Sequence, residues 1–171
     1  MYQKKILITG AEGFIAVNLA TFLSKKNFKI FGIGNKKYTK KISSKFGYNL
    51  LLNKKIDLKN LKKKFKKIDL IIHCAGSGLV GLSNQENYEK NYLTTKTILD
   101  FSIWLKKKPK IIFMSSYSLY GNSNNKSIKE NFALKPLSSY AMTKKSSEEI
   151  LLKYSKLYGL NITILRLASI Y

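Results

Sequence analysis

Short apolar runs rich in β-branched residues alternate along this chain with segments whose apolar positions recur every three or four residues. Residues 5–9 read as a first strand, and residues 14–25 as a helix turning Ile15, Leu19, Phe22 and Leu23 inward. Residues 28–33 make a second strand and 50–53 a short third. Over 58–68, Leu58, Leu61, Phe65 and Ile68 form one apolar helical stripe, with Lys62, Lys63, Lys64, Lys66 and Lys67 fanned around it. A fourth strand, 68–74, ends in Ala75-Gly76. A helix over 88–106 carries Tyr92, Thr95, Leu99 and Trp104, and residues 110–115 are a fifth strand. A polar loop over 121–136 leads to a helix over 138–158 that Gly159 stops, and 161–166 is a sixth strand. Six alternations of strand and helix require crossover connections, so the expected fold is α/β: a doubly wound parallel sheet of about six strands with helices on both faces. There is no internal repeat and no linker, so residues 1–171 are expected to form one domain.

The turn after the first strand carries candidate chemistry. Thr9-Gly10-Ala11-Glu12-Gly13-Phe14-Ile15-Ala16 is G-x-x-G-x-x-A running straight into a helix. Gly10 permits a tight turn, and Gly13 lets backbone amides approach a diphosphate at the helix N-terminus. An ordinary strand-to-helix turn also uses glycine for its φ freedom. The placement between first strand and first helix, where a dinucleotide-binding loop belongs, favours the phosphate reading.

Composition narrows the classes. The formal charge is +23, with 32 basic residues of which only Arg166 is arginine. That balance invites polyanions. The lysines, however, fan out as a solvated face, and nucleic-acid readers lean on the bidentate arginine fork, so no specific nucleic-acid partner is expected. With 44% apolar residues and two prolines the chain is expected to fold. One Cys (Cys74) and one His (His73) cannot build a disulfide or a zinc cage, so no metal site is expected. No apolar run approaches a membrane span, and Gly10, Glu12 and Gly13 interrupt the apolar start too early for a signal peptide. The expected location is the cytoplasm.

The string ITGAEGFIA resembles the T-G-x-x-G-F-I-G opening of the extended short-chain dehydrogenase/reductase family, which contains the NAD-dependent nucleotide-sugar epimerases and dehydratases. Further landmarks follow in that family's order. Asp57-Leu58 sits where the family has an adenine-contacting Asp. His73-Cys74-Ala75-Gly76 is similar to the H-x-A-G segment of UDP-glucose 4-epimerases, and Asn91 matches the Asn of the next helix. SSYSLYG, from Ser115 to Gly121, resembles S-S-x-x-V-Y-G, Tyr140 to Lys144 resembles Y-x-x-x-K, and RLASIY at the end resembles the start of R-x-x-N-V-Y-G-P. The resemblance implies a Rossmann domain binding NAD or NADP through Gly10, Gly13, Phe14, Ile15, Asn35, Lys36, Asp57, Leu58, Cys74, Ala75, Gly76, Asn91 and Lys144. It implies Ser116, Tyr140 and Lys144 as the catalytic set, a nucleotide-sugar substrate, and pairing into a homodimer through the helices over 88–106 and 138–158. His73 and Cys74 are read as strand-end packing rather than as ligand or nucleophile.

The Y-x-x-x-K pattern is weak alone: 11 Tyr and 31 Lys give about two matches by chance, and the chain has two, Tyr92/Lys96 and Tyr140/Lys144. Only Tyr140 opens the helix that follows Ser116 in the family's order. Residues four apart share a helix face, so the Lys144 ammonium can lie near the phenol. A tyrosine acting as base near neutrality needs its pKa to fall by about 3 from its usual 10, roughly 4 kcal/mol, which Lys144 and an oxidised nicotinamide are expected to supply. By resemblance, Tyr140 removes a hydroxyl proton while hydride passes to the nicotinamide, Ser116 bonds the reacting oxygen, and Lys144 also holds the ribose hydroxyls.

Three departures matter. No Asp or Glu lies between Glu12 and Asp57, where NAD-binding relatives hold a ribose hydroxyl; Gly34-Asn35-Lys36-Lys37 stands there instead and tilts the expectation slightly toward NADP. Tyr117 and Ser118 replace the acidic residues that dehydratases place after the active-site Ser/Thr, so an epimerase or reductase is expected. Relatives continue for a substrate-binding lobe, which is expected to be missing here, in a fragment or a truncated product. The rival readings are a non-catalytic dinucleotide-binding module and a polyanion binder.

Overall fold

A computed structural model of the chain describes residues 2–34, 44–53, 56–76, 83–122 and 127–170. Among these residues six parallel strands form one sheet in the order β3-β2-β1-β4-β5-β6. They are β1 (Lys4–Thr9), β2 (Phe28–Gly34), β3 (Leu50–Asn53), β4 (Leu70–His73), β5 (Lys110–Ser116) and β6 (Ile162–Leu167). The helices are α1 (Phe14–Ser24), α2 (Leu58–Lys64), α3 (Asn84–Asn87), α4 (Thr94–Trp104) and α5 (Ser139–Tyr158), with a π-helical segment Tyr88–Leu93 between α3 and α4 and a 3-10 turn Tyr117–Tyr120 after β5. The doubly wound sheet expected from the alternation is therefore present, with β1 and β4 adjacent at its centre.

Strand alternation sorts the core onto two faces. Leu7, Ile71, Ile111 and Phe113 meet Leu61 of α2, Ile98, Leu99 and Phe101 of α4, and Ile150 and Leu151 of α5. Ile6, Ile8, Ile30 and Ile72 meet Ala16 and Ala20 of α1 together with Tyr48. Two alanines on the buried stripe let α1 lie close to the sheet. That closeness also explains a departure from the periodicity: Phe22, expected inward, is 61% exposed, while Leu19 and Leu23 are only partly buried.

Two helix boundaries differ from the pattern. The helix expected over 58–68 stops at Lys64, and Phe65 turns extended (φ −123°, ψ 119°). Phe65 and Ile68 still reach the core, but from the chain leading into β4. The helix expected over 88–106 begins instead at Asn84, where Ser83 and Glu86 form a reciprocal capping box, and it widens to π geometry before α4. Trp104 at its end is 38% exposed, with Lys62 and Lys66 against its ring. The helix expected over 138–158 is found as drawn, with Ser138 accepting from the Ala141 amide and Gly159 in the left-handed conformation (φ 65°) closing it.

The carboxyl ends of β1 and β4 are pressed together. Gly10 has φ 64°, and a Cβ built there would stand 2.8 Å from both the N and Cα of Ala75. Gly159 shares the positive φ, yet a Cβ there meets nothing within 4 Å. The pair separates backbone strain from collision. Gly159→Ala should cost about 1 kcal/mol in chemical denaturation, the left-handed penalty alone. Gly10→Ala should cost about 2–5 kcal/mol, because the strain of a sparsely populated φ is joined by overpacking against Ala75. Equal losses at the two positions would contradict the close contact.

Candidate active site

A crevice of about 360 Å³ opens above the carboxyl ends of β1, β4 and β5, the switch point at which doubly wound sheets place their ligands. One wall is the glycine turn and first turn of α1, comprising Gly13, Phe14, Ile15 and Ala16. The other is Cys74 and Gly76 after β4, Met114, Ser115 and Ser116 of β5, and Tyr140 and Lys144 of α5. Leu167 at the end of β6 and Ala168 and Ile170 beyond it complete the lining; they belong to the RLASIY segment, whose resemblance does not assign them to the site, and Met114 of β5 falls in no motif at all. The two sets of residues named from the sequence, phosphate loop and catalytic trio, thus share one space. Asn35 and Lys36 lie outside the described residues.

The loop is built to receive an anion. The Gly13 amide donates to the Gly10 carbonyl (2.8 Å) and the Ala11 amide to Ile33 (3.1 Å), which fixes the turn. α1 then starts at Phe14 with no side chain capping its first amides and no acidic residue in its first turn. Amides at a helix start with the positive end of its dipole suit a diphosphate.

A hydrogen-bond chain whose directions are determined holds the floor. The Thr95 hydroxyl donates to the Asn91 carbonyl (2.7 Å), so it can only accept from His73 Nε2–H (3.0 Å). His73 Nδ1 is then an acceptor and receives the Thr9 hydroxyl proton (2.6 Å), while Thr9 Oγ1 accepts from the Ala75 amide (3.1 Å). His73 is fully buried, and burial, with the Lys144 charge adding to it, holds its pKa down to about 3, so it stays neutral. The chain ties β1, β4 and the helical rod together beneath Ala75-Gly76. As expected His73 packs at the strand end, but through both ring nitrogens. Cys74 faces the crevice with its thiol pushed up to about 12 by burial, which keeps it protonated and unreactive.

Asn91 sits within the π segment, buried, with its amide toward Thr143 (3.3 Å). A Cβ on Gly76 would come within 2.6 Å of Asn91 Oδ1 and 3.2 Å of Lys144 Nζ, so only glycine leaves both side chains room at the crevice. Lys144 is 4% exposed; its ammonium donates to the Met114 carbonyl (2.7 Å) and lies 4.6 Å from the centre of the Phe113 ring. Burial lowers its pKa to about 8, against weaker support from Cys74 and Glu148.

The lowered Tyr140 pKa is expected with an oxidised nicotinamide beside it, and the free chain differs from that state. The phenol is held above the usual tyrosine range by burial, and the opposing influence is the hydrogen bond with the Ser116 side chain, not the charge of Lys144. The Lys144 ammonium is directed at the Met114 carbonyl rather than at the phenol. Asp57 stands at the start of α2. Its carboxylate caps α2, accepting from the Asn60 amide (2.8 Å) and from the Asn60 side chain, and neither it nor Leu58 lines the crevice. The single arginine, Arg166, pairs with buried Glu148 (2.7 Å) and donates to Tyr120 (2.8 Å), bracing β6 against α5. Among the described residues no helix is long and apolar enough to cross a membrane, and no cluster of His, Cys, Asp or Glu could hold a metal ion.

The sequence pattern of the NAD dependent epimerase/dehydratase family matches residues 6–171. The chain is 32% identical to dTDP-D-glucose 4,6-dehydratase of Dictyostelium discoideum over 100% of its own length and 45% of that protein. It is 27% identical to UDP-glucuronate 4-epimerase 4 of Arabidopsis thaliana over 97% of its length and 41% of the relative. Among solved structures, UDP-glucuronic acid 4-epimerase from Bacillus cereus in complex with NAD superposes with a TM-score of 0.86 at 28% identity, covering 98% of this chain and 57% of that one. The same enzyme in complex with UDP-glucuronic acid and NAD gives 0.82 at 30% identity, covering 95% and 55%. The chain spans about half the length of the relatives it matches.

The buried ammonium leaves a signature in stability. The folded pKa of Lys144 lies at about 8, below the 10.5 of an exposed lysine, so above pH 8 the unfolded chain binds more protons and folding gains with rising pH. Cys74, raised to about 12, works in the opposite sense above pH 9, which leaves pH 8–9 as the clean window. Urea denaturation across that window should show stability rising by about 1 kcal/mol relative to Lys144→Met. Parallel curves for the two proteins would mean that Lys144 is not buried as described.

Proposed function

This chain belongs to the NAD dependent epimerase/dehydratase family, and from that premise we propose that its crevice is the cofactor and reaction end of a nucleotide-sugar epimerase or related oxidoreductase. The observation that carries the reading is the meeting of the Gly13 loop with Ser116, Tyr140 and Lys144 around one space. The chain's residues fit a dinucleotide: uncapped amides of α1 for the diphosphate, and the Lys144 ammonium beside Gly76 for ribose hydroxyls. When NAD is bound, its nicotinamide exchanges hydride with a sugar carbon.

The rest falls to the side chains. Tyr140 takes the proton of the sugar hydroxyl, and Ser116, beside it in the crevice lining, is placed to hydrogen-bond the reacting oxygen. Because burial holds the free phenol protonated at neutral pH, Tyr140 becomes a base only when positive charge arrives beside it, which couples proton removal to an oxidised cofactor. Among the described residues the crevice lining contains no carboxylic acid. A dehydration needs a proton donor for the departing hydroxyl, so this favours epimerase or reductase chemistry over that of the dehydratase relative. The relatives' solved complexes contain UDP-sugars, and a UDP-sugar is the substrate class proposed here.

Two variants test the roles through different readouts. In NADH fluorescence titration, Lys144→Met should weaken binding by about tenfold or more, the loss of a hydrogen bond from a charged donor. Tyr140→Phe should leave binding within about threefold, while UDP-sugar turnover falls by about 10²–10⁴. Turnover retained in Tyr140→Phe would overturn the assignment of the base.

A further inference from the structure

The positive charge of this chain gathers at the end of the sheet opposite the crevice. Parallel strands all enter on one side, and the helices that connect them run back to that side. Four segments open the neighbouring strands β2, β1, β4 and β5: KKNFK at 25–29, YQKK at 2–5, FKKID at 65–69 and LKKKPK at 105–110. The register sets them edge to edge, with Lys5 opposite Lys29 and Leu70 opposite both Ile6 and Lys110. Of their eleven lysines all but the half-buried Lys5 are exposed, and among the described residues none is ion-paired. Asp69 is the one acid in the four segments, and it already accepts from the Lys5 amide (2.8 Å) and the Tyr2 hydroxyl (2.5 Å).

A lysine-rich composition alone does not make this pattern. The described turns on the exit side, which leave β1, β4, β5 and β6 at 10–13, 74–76, 117–122 and 168–170, contain no lysine; those leaving β2 and β3 lie outside the described residues. Helix dipoles do not account for it either. α1, α2, α4 and α5 end on the lysine side, but four helix ends amount to about two negative charges, far fewer than the eleven lysines.

We propose that this face docks the protein on an anionic bilayer surface. Lysines spread across a sheet end suit a plane of headgroups, where each adds attraction without the directional fork that reading base edges requires. Aromatic rings stand among them. Tyr2, Phe22 and Trp104 are exposed, with Lys67 against the first ring, Lys26 against the second, and Lys62 and Lys66 against the third. Such rings settle at the boundary of headgroups and acyl chains while the ammoniums beside them stay among the phosphates. Because the face lies at the far end of the strands, docking leaves the crevice open to solvent. The inference is independent of what the crevice binds.

Sedimentation of the 171-residue chain with vesicles tests the docking, and Trp104, the only tryptophan, reports the face. Vesicles containing about one third phosphatidylserine should bind the chain at least about 10²-fold more tightly than phosphatidylcholine alone, and Trp104 emission should shift to the blue. Taking one lysine from each segment, Lys4→Gln, Lys25→Gln, Lys67→Gln and Lys107→Gln together should weaken that binding by about 10²–10³. Lys59→Gln, Lys90→Gln, Lys129→Gln and Lys135→Gln together remove the same charge away from the face and should change it by less than about threefold. All eight lysines are exposed, so both variants should keep the wild-type circular dichroism. Equal losses in the two variants would mean that bulk charge acts, and unmoved Trp104 emission in the bound chain would mean that another face docks; either overturns the proposal. So does equal binding to the two kinds of vesicle, or binding to neither. Tighter binding to polyuridylate than to the anionic vesicles at equal accessible phosphate, lost in the first variant and kept in the second, would assign the face to nucleic acid and overturn the lipid assignment.

Discussion

Everything at the site depends on the closeness of β1 and β4 at their carboxyl ends. Gly10 and Ala75 touch there with no room for another carbon, and the Thr9–His73–Thr95 hydrogen bonds clamp the same point from below. The following chains then diverge: α1 covers one face of the sheet and the later helices cover the other. A parallel sheet can leave an open crevice only where neighbouring strands send their connections to opposite sides. Position, floor and width of the crevice therefore follow from one steric contact and one polar chain.

Burial decides the electrostatics of the trio. Lys144 and Tyr140 sit four residues apart on α5, yet the ammonium is directed to the Met114 carbonyl and the phenol to Ser116. Each group is pushed toward its neutral form, lysine downward and tyrosine upward, because desolvation exceeds the attraction of the partners within reach. On the proposed reading, positive charge brought in by a ligand is what would draw the proton from Tyr140.

The fold was readable in the sequence because strand and helix periods differ and alternate cleanly, and because glycines at 10, 13 and 159 and Ser138 stand where turns and caps require them. The trio could be singled out from Y-x-x-x-K pairs only by its order after Ser116. Other features are set by tertiary context. The near-complete burial of Lys144, the π turn that presents Asn91, and the use of Asp57 as a helix cap leave no trace in periodicity. The absence of an acid after the end of β2 tilts the sequence toward NADP, whereas solved relatives hold NAD.

The central claim is that the glycine loop and the start of α5 form two walls of one ligand site. Amide hydrogen exchange with and without NAD tests it most directly, since protection reports each wall separately. The account predicts that NAD slows exchange together in residues 13–17 and in residues 114–116 and 140–144. Protection of the glycine loop alone, with the β5 end and the start of α5 unchanged, would contradict it.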